Sequence, residues 1–164
     1  SAAEAQDIKI VASTTEQIIN HLPKAKKIIS LNRLIITKIG LNAPIVEAKN
    51  AEWGLSQGAW RMPESSTPDK GGNMVITGHR FKYLPPNNLT FFLFDKLVKD
   101  DLVSVIWREK KYFYKIKETK IIKADDLSIL EPTAGARLTL YTCDPIYSQE
   151  NRLAVISELI EHLP

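Results

Sequence analysis

From Arg33 onward the chain is a succession of short apolar or β-branched runs, each closed by a turn signal. The runs are Leu34-Ile35-Ile36, Ile45-Val46, Met74–Thr77, Leu102–Trp107, Tyr112–Lys117, Lys120–Lys123, Leu138–Cys143 and Leu153–Ile156. Gly40-Leu41-Asn42-Ala43, Asp100-Asp101 and Glu109-Lys110-Lys111 read as turns between them. Tyr112, Tyr114 and Ile116 alternate with Phe113, Lys115 and Lys117, the period of two that a half-buried strand requires. Seven or eight strands at this spacing predict an all-β barrel or sandwich. Two segments interrupt the pattern. Residues 49–73, with Trp53, Trp60 and Met62, read as one long irregular stretch, and Asn88-Leu89-Thr90 opens a short helix running to Leu97.

Composition limits what such a barrel can be for. The chain has 164 residues, 44% hydrophobic and 25% charged, which suits a globular domain with a sizeable core and excludes a disordered or coiled-coil chain. The balance of 22 Lys+Arg against 19 Asp+Glu, +3 net, is too even and unclustered for a nucleic-acid binder. No apolar run spans a bilayer, and Ser1-Ala2-Ala3-Glu4 has no signal-peptide character, so any membrane anchor is expected upstream of this sequence. The first residues differ from the rest. Ser13-Thr14-Thr15-Glu16 forms a capping box before a helix expected at Thr14–Leu22, followed by a solvated Lys24–Lys27 connector. Two parts are therefore expected: an extension over 1–32 and the β domain over 33–164.

There is one cysteine, Cys143, which excludes an internal disulfide and a thiolate metal site. No His/Cys/Asp/Glu cluster has metal-ligand spacing, so neither metal nor cofactor is expected. Cys143 is then either a small buried hydrophobe or a reactive thiol. It ends the strand Thr139-Leu140-Tyr141-Thr142-Cys143, where alternation puts Tyr141 and Cys143 on one face. Of the three histidines, His21 and His162 fall in helix-like segments near the termini and are expected on the surface. His79 directly follows the apolar strand and a glycine, in Val75-Ile76-Thr77-Gly78-His79-Arg80. Arg152 opens the strand after the cysteine. Singly, each has an ordinary structural explanation. Jointly they hold the parts of a thiol nucleophile, a proton carrier and an oxyanion donor.

Thr139-Leu140-Tyr141-Thr142-Cys143, Thr77-Gly78-His79 and Arg152, in this order on β elements, resemble the sortase family. Ala43-Pro44-Ile45-Val46, Gly72-Asn73, Phe92–Leu97 before an acidic turn and Tyr112-Phe113-Tyr114 add to the resemblance, which runs over residues 33–157. It implies a closed eight-stranded β-barrel with short helices, here with an N-terminal helical extension. It also implies a membrane-anchored cysteine transpeptidase on the outer face of a Gram-positive cell. The substrate implied is an LPxTG-like sorting signal of secreted proteins, and the acceptor an amine of a cell-wall precursor or a pilin lysine. By the family motif, Cys143, His79 and Arg152 are the catalytic residues, and Thr77, Tyr141 and Thr142 line the substrate groove. Free thiol and imidazole titrate near about 8.5 and 6.5. Only a minority of molecules would then carry thiolate and imidazolium together, which predicts slow turnover and a bell-shaped pH profile.

The sequence also departs from relatives. It has no Asp-Pro-aromatic lid upstream of the His strand, which leans away from a pilin polymerase, and segment 1–32 has no counterpart. Asp144 and Glu150, between nucleophile and arginine, are either attractors of a cationic acceptor or solvated loop carboxylates. Two other readings compete: a cysteine endopeptidase with water as acceptor, and a catalytically silent β-barrel binding module with Cys143 buried. The Ser-x-Gly-Cys-x-Arg motif of L,D-transpeptidases does not fit Thr142-Cys143 with Arg152.

Overall fold

The computed structural model describes residues 32–144 and 150–164. The helix expected at Thr14–Leu22, His21 and most of the connection from Asp144 to Asn151 lie outside the described residues. Eight strands follow in chain order: β1 Arg33–Ile36, β2 Leu41–Glu47, β3 Ala59–Arg61, β4 Asn73–Thr77, β5 Leu102–Trp107, β6 Lys110–Lys123, β7 Arg137–Asp144 and β8 Asn151–Leu163. They close a barrel in the order β1-β2-β3-β4-β7-β8-β6-β5, with β5 returning to β1. The pairs β2–β3 and β4–β7 are parallel and the rest antiparallel. The all-β, closed eight-stranded expectation is met.

Period-two alternation builds the interior. Leu34 and Ile36, Val103 and Val105, Tyr112 and Tyr114, Leu138 and Leu140, and Leu153 and Val155 all point into one apolar core. Phe91, Phe94 and Leu97 come from the segment between β4 and β5 and join that core. On β8, Leu153 to Ser157 are all buried, so the outer face is covered as well. The cover is a second cluster in which Ala154 and Ile156 meet Ile129, with Ile122, Leu130 and Tyr141 against it.

Several boundaries differ from the sequence reading. Residues 49–73 are not uniformly irregular. They hold helix α1 (Ala51–Gln57), β3 and a 3-10 turn at Pro68–Lys70. The Asn50 side chain caps α1 by accepting from the Trp53 amide at 2.9 Å. Gly54 hides the helix in the sequence; a Cβ there would lie 2.9 Å from Cγ of Trp60, so the indole packs directly on the helix backbone. The segment Phe92–Lys96 is a 3-10 helix, shorter and tighter than the helix expected from Asn88. The two expected strands Tyr112–Lys117 and Lys120–Lys123 are one strand. A register shift between Ile116 and Glu118 breaks the alternation without reversing the chain. The β5–β6 hairpin turns at Arg108-Glu109, not at 109–111. Both residues have positive φ, 47° and 71°, with no glycine to signal it. The turn after β1 is a 3-10 turn at Thr37–Ile39 closed by Gly40 (φ 70°), so β2 starts at Leu41. His162 lies in β8 opposite Tyr112, exposed and in a strand rather than a helix-like segment, because β8 continues to Leu163.

Candidate active site

The strand ends of β4, β7 and β8 are neighbours in the barrel wall. On β7, Leu138, Leu140 and Thr142 are buried toward the interior, which turns Tyr141 and Cys143 to the outer face. On β8, Leu153 and Val155 point inward, so Arg152, Ala154 and Ile156 share the outer face. Cys143 and Arg152 are direct cross-strand partners in this antiparallel pair, which places their side chains side by side on one face.

His79 follows β4, the neighbour of β7 on its other side. The parallel β4–β7 ladder runs to Thr77 opposite Tyr141. Beyond it, two side-chain bonds carry the alignment on. Thr142 Oγ1 donates to the Gly78 carbonyl at 2.8 Å, and Arg80 Nη1 donates to the Cys143 carbonyl at 2.9 Å. His79 lies in the chain between those two residues, just past the end of the β4–β7 ladder. Gly78 is required for a packing reason. A Cβ on it would fall 2.6 Å from Cδ1 of Phe91, a fully buried ring.

The environment of these groups is partly dry. Burial, with help from the Lys82 charge, holds the His79 imidazole below its ordinary value, so the resting ring favours the neutral form. Burial pushes the Tyr141 phenol up. The Thr77 hydroxyl and Arg152 charge act against that, and Cys143 acts with it. Cys143 is half-buried, neither sealed in the core nor fully solvated. Arg152 Nη1 donates to the Asn151 carbonyl at 2.9 Å. Asp144 is not a solvated loop carboxylate: its Oδ1 lies 3.0 Å from Nη1 of the buried Arg80.

Two depressions flank Tyr141. One, of about 120 Å³, is lined by Ile122, Leu127, Leu130, Tyr141 and Arg152. The other, of about 300 Å³, is lined by Met62, Pro63, Val75, Leu130 and Pro132. Leu130 borders both, and the Tyr141 hydroxyl meets the Met62 sulfur at 3.5 Å. Leu130 belongs to a 3-10 turn, Ser128–Leu130, that roofs the outer face. Asn73 at the start of β4 fixes this roof. Its Nδ2 donates to the carbonyls of Ile129 (2.9 Å) and Glu131 (3.0 Å), and its Oδ1 accepts from Thr139. A further cavity of about 370 Å³ lies at the opposite end of β7, against Arg137 and Glu158, and shares none of these residues.

The structure thus sets Cys143, Arg152 and Tyr141 on one outer face, with His79 on the segment that leaves β4 after Thr77. Thr77 is buried beneath them, with its hydroxyl donating to the Tyr141 carbonyl at 2.9 Å. Thr142 faces the barrel interior, 1% exposed, and its hydroxyl donates to the Gly78 carbonyl rather than lining the outer face. His162 sits at the far end of β8 from Arg152, roughly 30 Å of strand away at about 3.3 Å per residue. Met62, Leu130 and Arg80 were not singled out from sequence. The arginine following His79 was visible there, but nothing local marks an arginine as buried.

The chain matches the Sortase domain family over residues 34–160. It is 33% identical to sortase D of Bacillus subtilis over 113 residues, 68% of this chain and 53% of that protein. It is 27% identical to sortase A of Listeria monocytogenes over 126 residues, 77% of this chain and 54% of that protein. The chain spans about half the length of these curated relatives. Among solved structures, sortase A of Listeria monocytogenes superposes with a TM-score of 0.71 at 25% identity, covering 82% of this chain and 89% of that one. A family match that runs from the first strand into the last makes the likeness one of sequence as well as shape: the chain belongs to the sortase family.

Proposed function

We propose that the protein is a cysteine transpeptidase that cleaves an LPxTG-like sorting signal and transfers the new acyl group to an amine. Residues 33–164 are its catalytic domain. The observation that supports this reading is the cross-strand pairing of Cys143 with Arg152 at the ends of β7 and β8, beside a depression lined by Tyr141, with His79 just past the end of the neighbouring β4.

In this reading the Cys143 thiolate attacks the scissile Thr carbonyl, and a tetrahedral oxyanion forms. Arg152 stays charged at every accessible pH, so its part is to donate to that oxyanion and to substrate carbonyls, not to move protons. His79 as imidazolium gives its proton to the departing amine as the C–N bond breaks, leaving a thioester on Cys143. The neutral His79 then takes a proton from the incoming amine, whose attack on the thioester returns the thiolate. Tyr141 contacts the bound peptide on the Cys143 face. Thr77 and Thr142 contribute to the groove by holding its floor in register. In this reading the protein acts at the outer surface of the cell membrane, held there by a membrane anchor. Among the described residues no helix is long and apolar enough to cross a membrane.

The test is mass spectrometry of a synthetic LPxTG-type peptide incubated with and without an amine such as triglycine. A ligated product that needs the amine supports transpeptidation, whereas identical hydrolysed products in both arms support the endopeptidase. Cys143→Ala should remove all cleavage. His79→Ala and Arg152→Ala should each lower kcat/KM by roughly 10²–10⁴-fold. A Cys143 that resists a small methanethiosulfonate in the native protein would support the silent binding module instead.

A further inference from the structure

Arg80 is the most deeply buried charge beside the site, with a side chain only 2% exposed. Four oxygens surround its guanidinium. Nη1 donates to the Cys143 carbonyl at 2.9 Å and to Asp144 Oδ1 at 3.0 Å. Nη2 lies 3.5 Å from Asp95 Oδ1, and Nε donates to the Phe92 carbonyl at 3.4 Å. A buried guanidinium is tolerated only when its donors are met in this way.

The position has a topological cause. The β4–β7 ladder stops at Thr77–Tyr141, two residues before Cys143. A strand N–H from β4 would ordinarily meet the Cys143 carbonyl there. Instead the chain leaves the ladder at Gly78 and His79, and the Arg80 side chain reaches back to that carbonyl. His79 is thereby released from strand geometry while Cys143 keeps a fixed backbone. The second consequence is electrostatic. Asp144 follows Cys143 in β7, and a carboxylate there, left without its cation, would oppose negative charge on the sulfur. Arg80 is a cation that meets Asp144, and Asp95 faces the same guanidinium from the 3-10 helix Phe92–Lys96.

We propose that Arg80 is a positioning residue for the nucleophile: its guanidinium fixes the Cys143 carbonyl and neutralises Asp144, and the two contacts together set the reactivity of the sulfur. The proposal rests on reading Cys143 as the nucleophile. Its test does not depend on any peptide being cleaved, because thiol chemistry can be read directly.

The experiment measures the rate of Cys143 alkylation by iodoacetamide at fixed neutral pH, together with the thermal midpoint, in the parent, Arg80→Met, Arg80→Met/Asp144→Asn, Arg80→Lys and Asp144→Asn. Arg80→Met leaves a carboxylate unopposed and should slow alkylation on the order of tenfold. Adding Asp144→Asn removes that carboxylate and should restore most of the rate, while any loss of thermal stability remains. Arg80→Lys keeps the charge without the fork and should fall between. Asp144→Asn alone preserves shape and Arg80, and should speed alkylation. If peptide cleavage is measurable, Arg80→Met should lower kcat with little change in KM. An Arg80→Met rate within about twofold of the parent, or no recovery in the double variant, overturns the proposal. Should Arg80→Met not fold, Asp144→Asn decides: an unchanged or slower alkylation rate overturns it. A protein that alkylates as expected but cleaves nothing would sink the transpeptidase reading and leave this one standing.

Discussion

His79 holds its proton less readily than a free imidazole, and the causes are burial first and the Lys82 charge second. In a mechanism that needs imidazolium with thiolate, this lowers the competent fraction at neutral pH below what free side chains would give. The acid limb of the kcat/KM profile should therefore lie below the ordinary imidazole value of about 6.5. Lys82→Met removes the second cause. It should move the acid limb upward and raise the plateau, as pH profiles of the two proteins would show; a limb that moves down contradicts the assignment of His79. Gly78 governs the same residue by packing. In Gly78→Ala the new methyl meets the Phe91 ring, which is stacked on Phe94 at 4.4 Å and has nowhere to retreat. The backbone carrying His79 must shift instead, at a cost of about 1–3 kcal/mol. Cleavage should fall at least tenfold while Cys143 still alkylates, a combination that separates a displaced histidine from a lost nucleophile.

Strand ends are where most of the site is built, and this explains what the sequence made legible. Alternation in Thr139–Cys143 put Tyr141 and Cys143 on one face, and the cross-strand pairing of Cys143 with Arg152 follows from a short β7–β8 connection. The parallel pairing that brings β4 beside β7 is not local, because 59 residues separate Thr77 from Arg137. Only the joint resemblance of three motifs announced it. The roof of the site was invisible for another reason. Ser128–Leu130 is a single 3-10 turn with no periodicity, and it is held by Asn73, whose polar side chain in an apolar strand carries no label for its partners. Likewise α1 and β3 vanished into a loop because they are short and Gly54 lowers helix propensity. Asn73→Ala tests the roof. It leaves the Ile129 and Glu131 carbonyls and the Thr139 hydroxyl without their buried partner, which costs about 1–3 kcal/mol. Denaturant unfolding should show that loss. KM for peptide should rise more than kcat falls, because the roof borders the groove and not the sulfur.

At the scale of the whole molecule, the barrel interior is filled by apolar side chains, so the candidate site lies on the outside of the wall and titrates with the fold. The shifts have definite signs. Asp69, Asp101 and Asp126 are held below the usual carboxylate range, chiefly by side-chain hydrogen bonds from Thr67, Lys38 and Ser128 respectively. The stability they contribute is complete above about 3.8 and is lost as pH falls through their lower folded values. His79 is also lowered, so the unfolded chain takes up its proton first. Its contribution is complete above about 6.5 and declines as pH drops toward the folded value. Tyr112, Tyr114 and Tyr141 are raised by burial, Tyr114 the furthest, so what they contribute is present below about 10 and lost as pH climbs above it. The barrel should therefore be most stable on a plateau between about 6.5 and 10, with a shallow first loss on the acid side to which His79 contributes. Urea unfolding across pH 4–11 measures this. His79→Gln should flatten the loss between about 7 and 5 while leaving the drop below 4, because the glutamine has no proton to take up. Tyr114→Phe should flatten the alkaline side without touching the acid one. A parent protein whose stability rises as pH falls from 7 to 5 would mean that His79 gains a proton on folding, and the neutral resting imidazole would have to be abandoned.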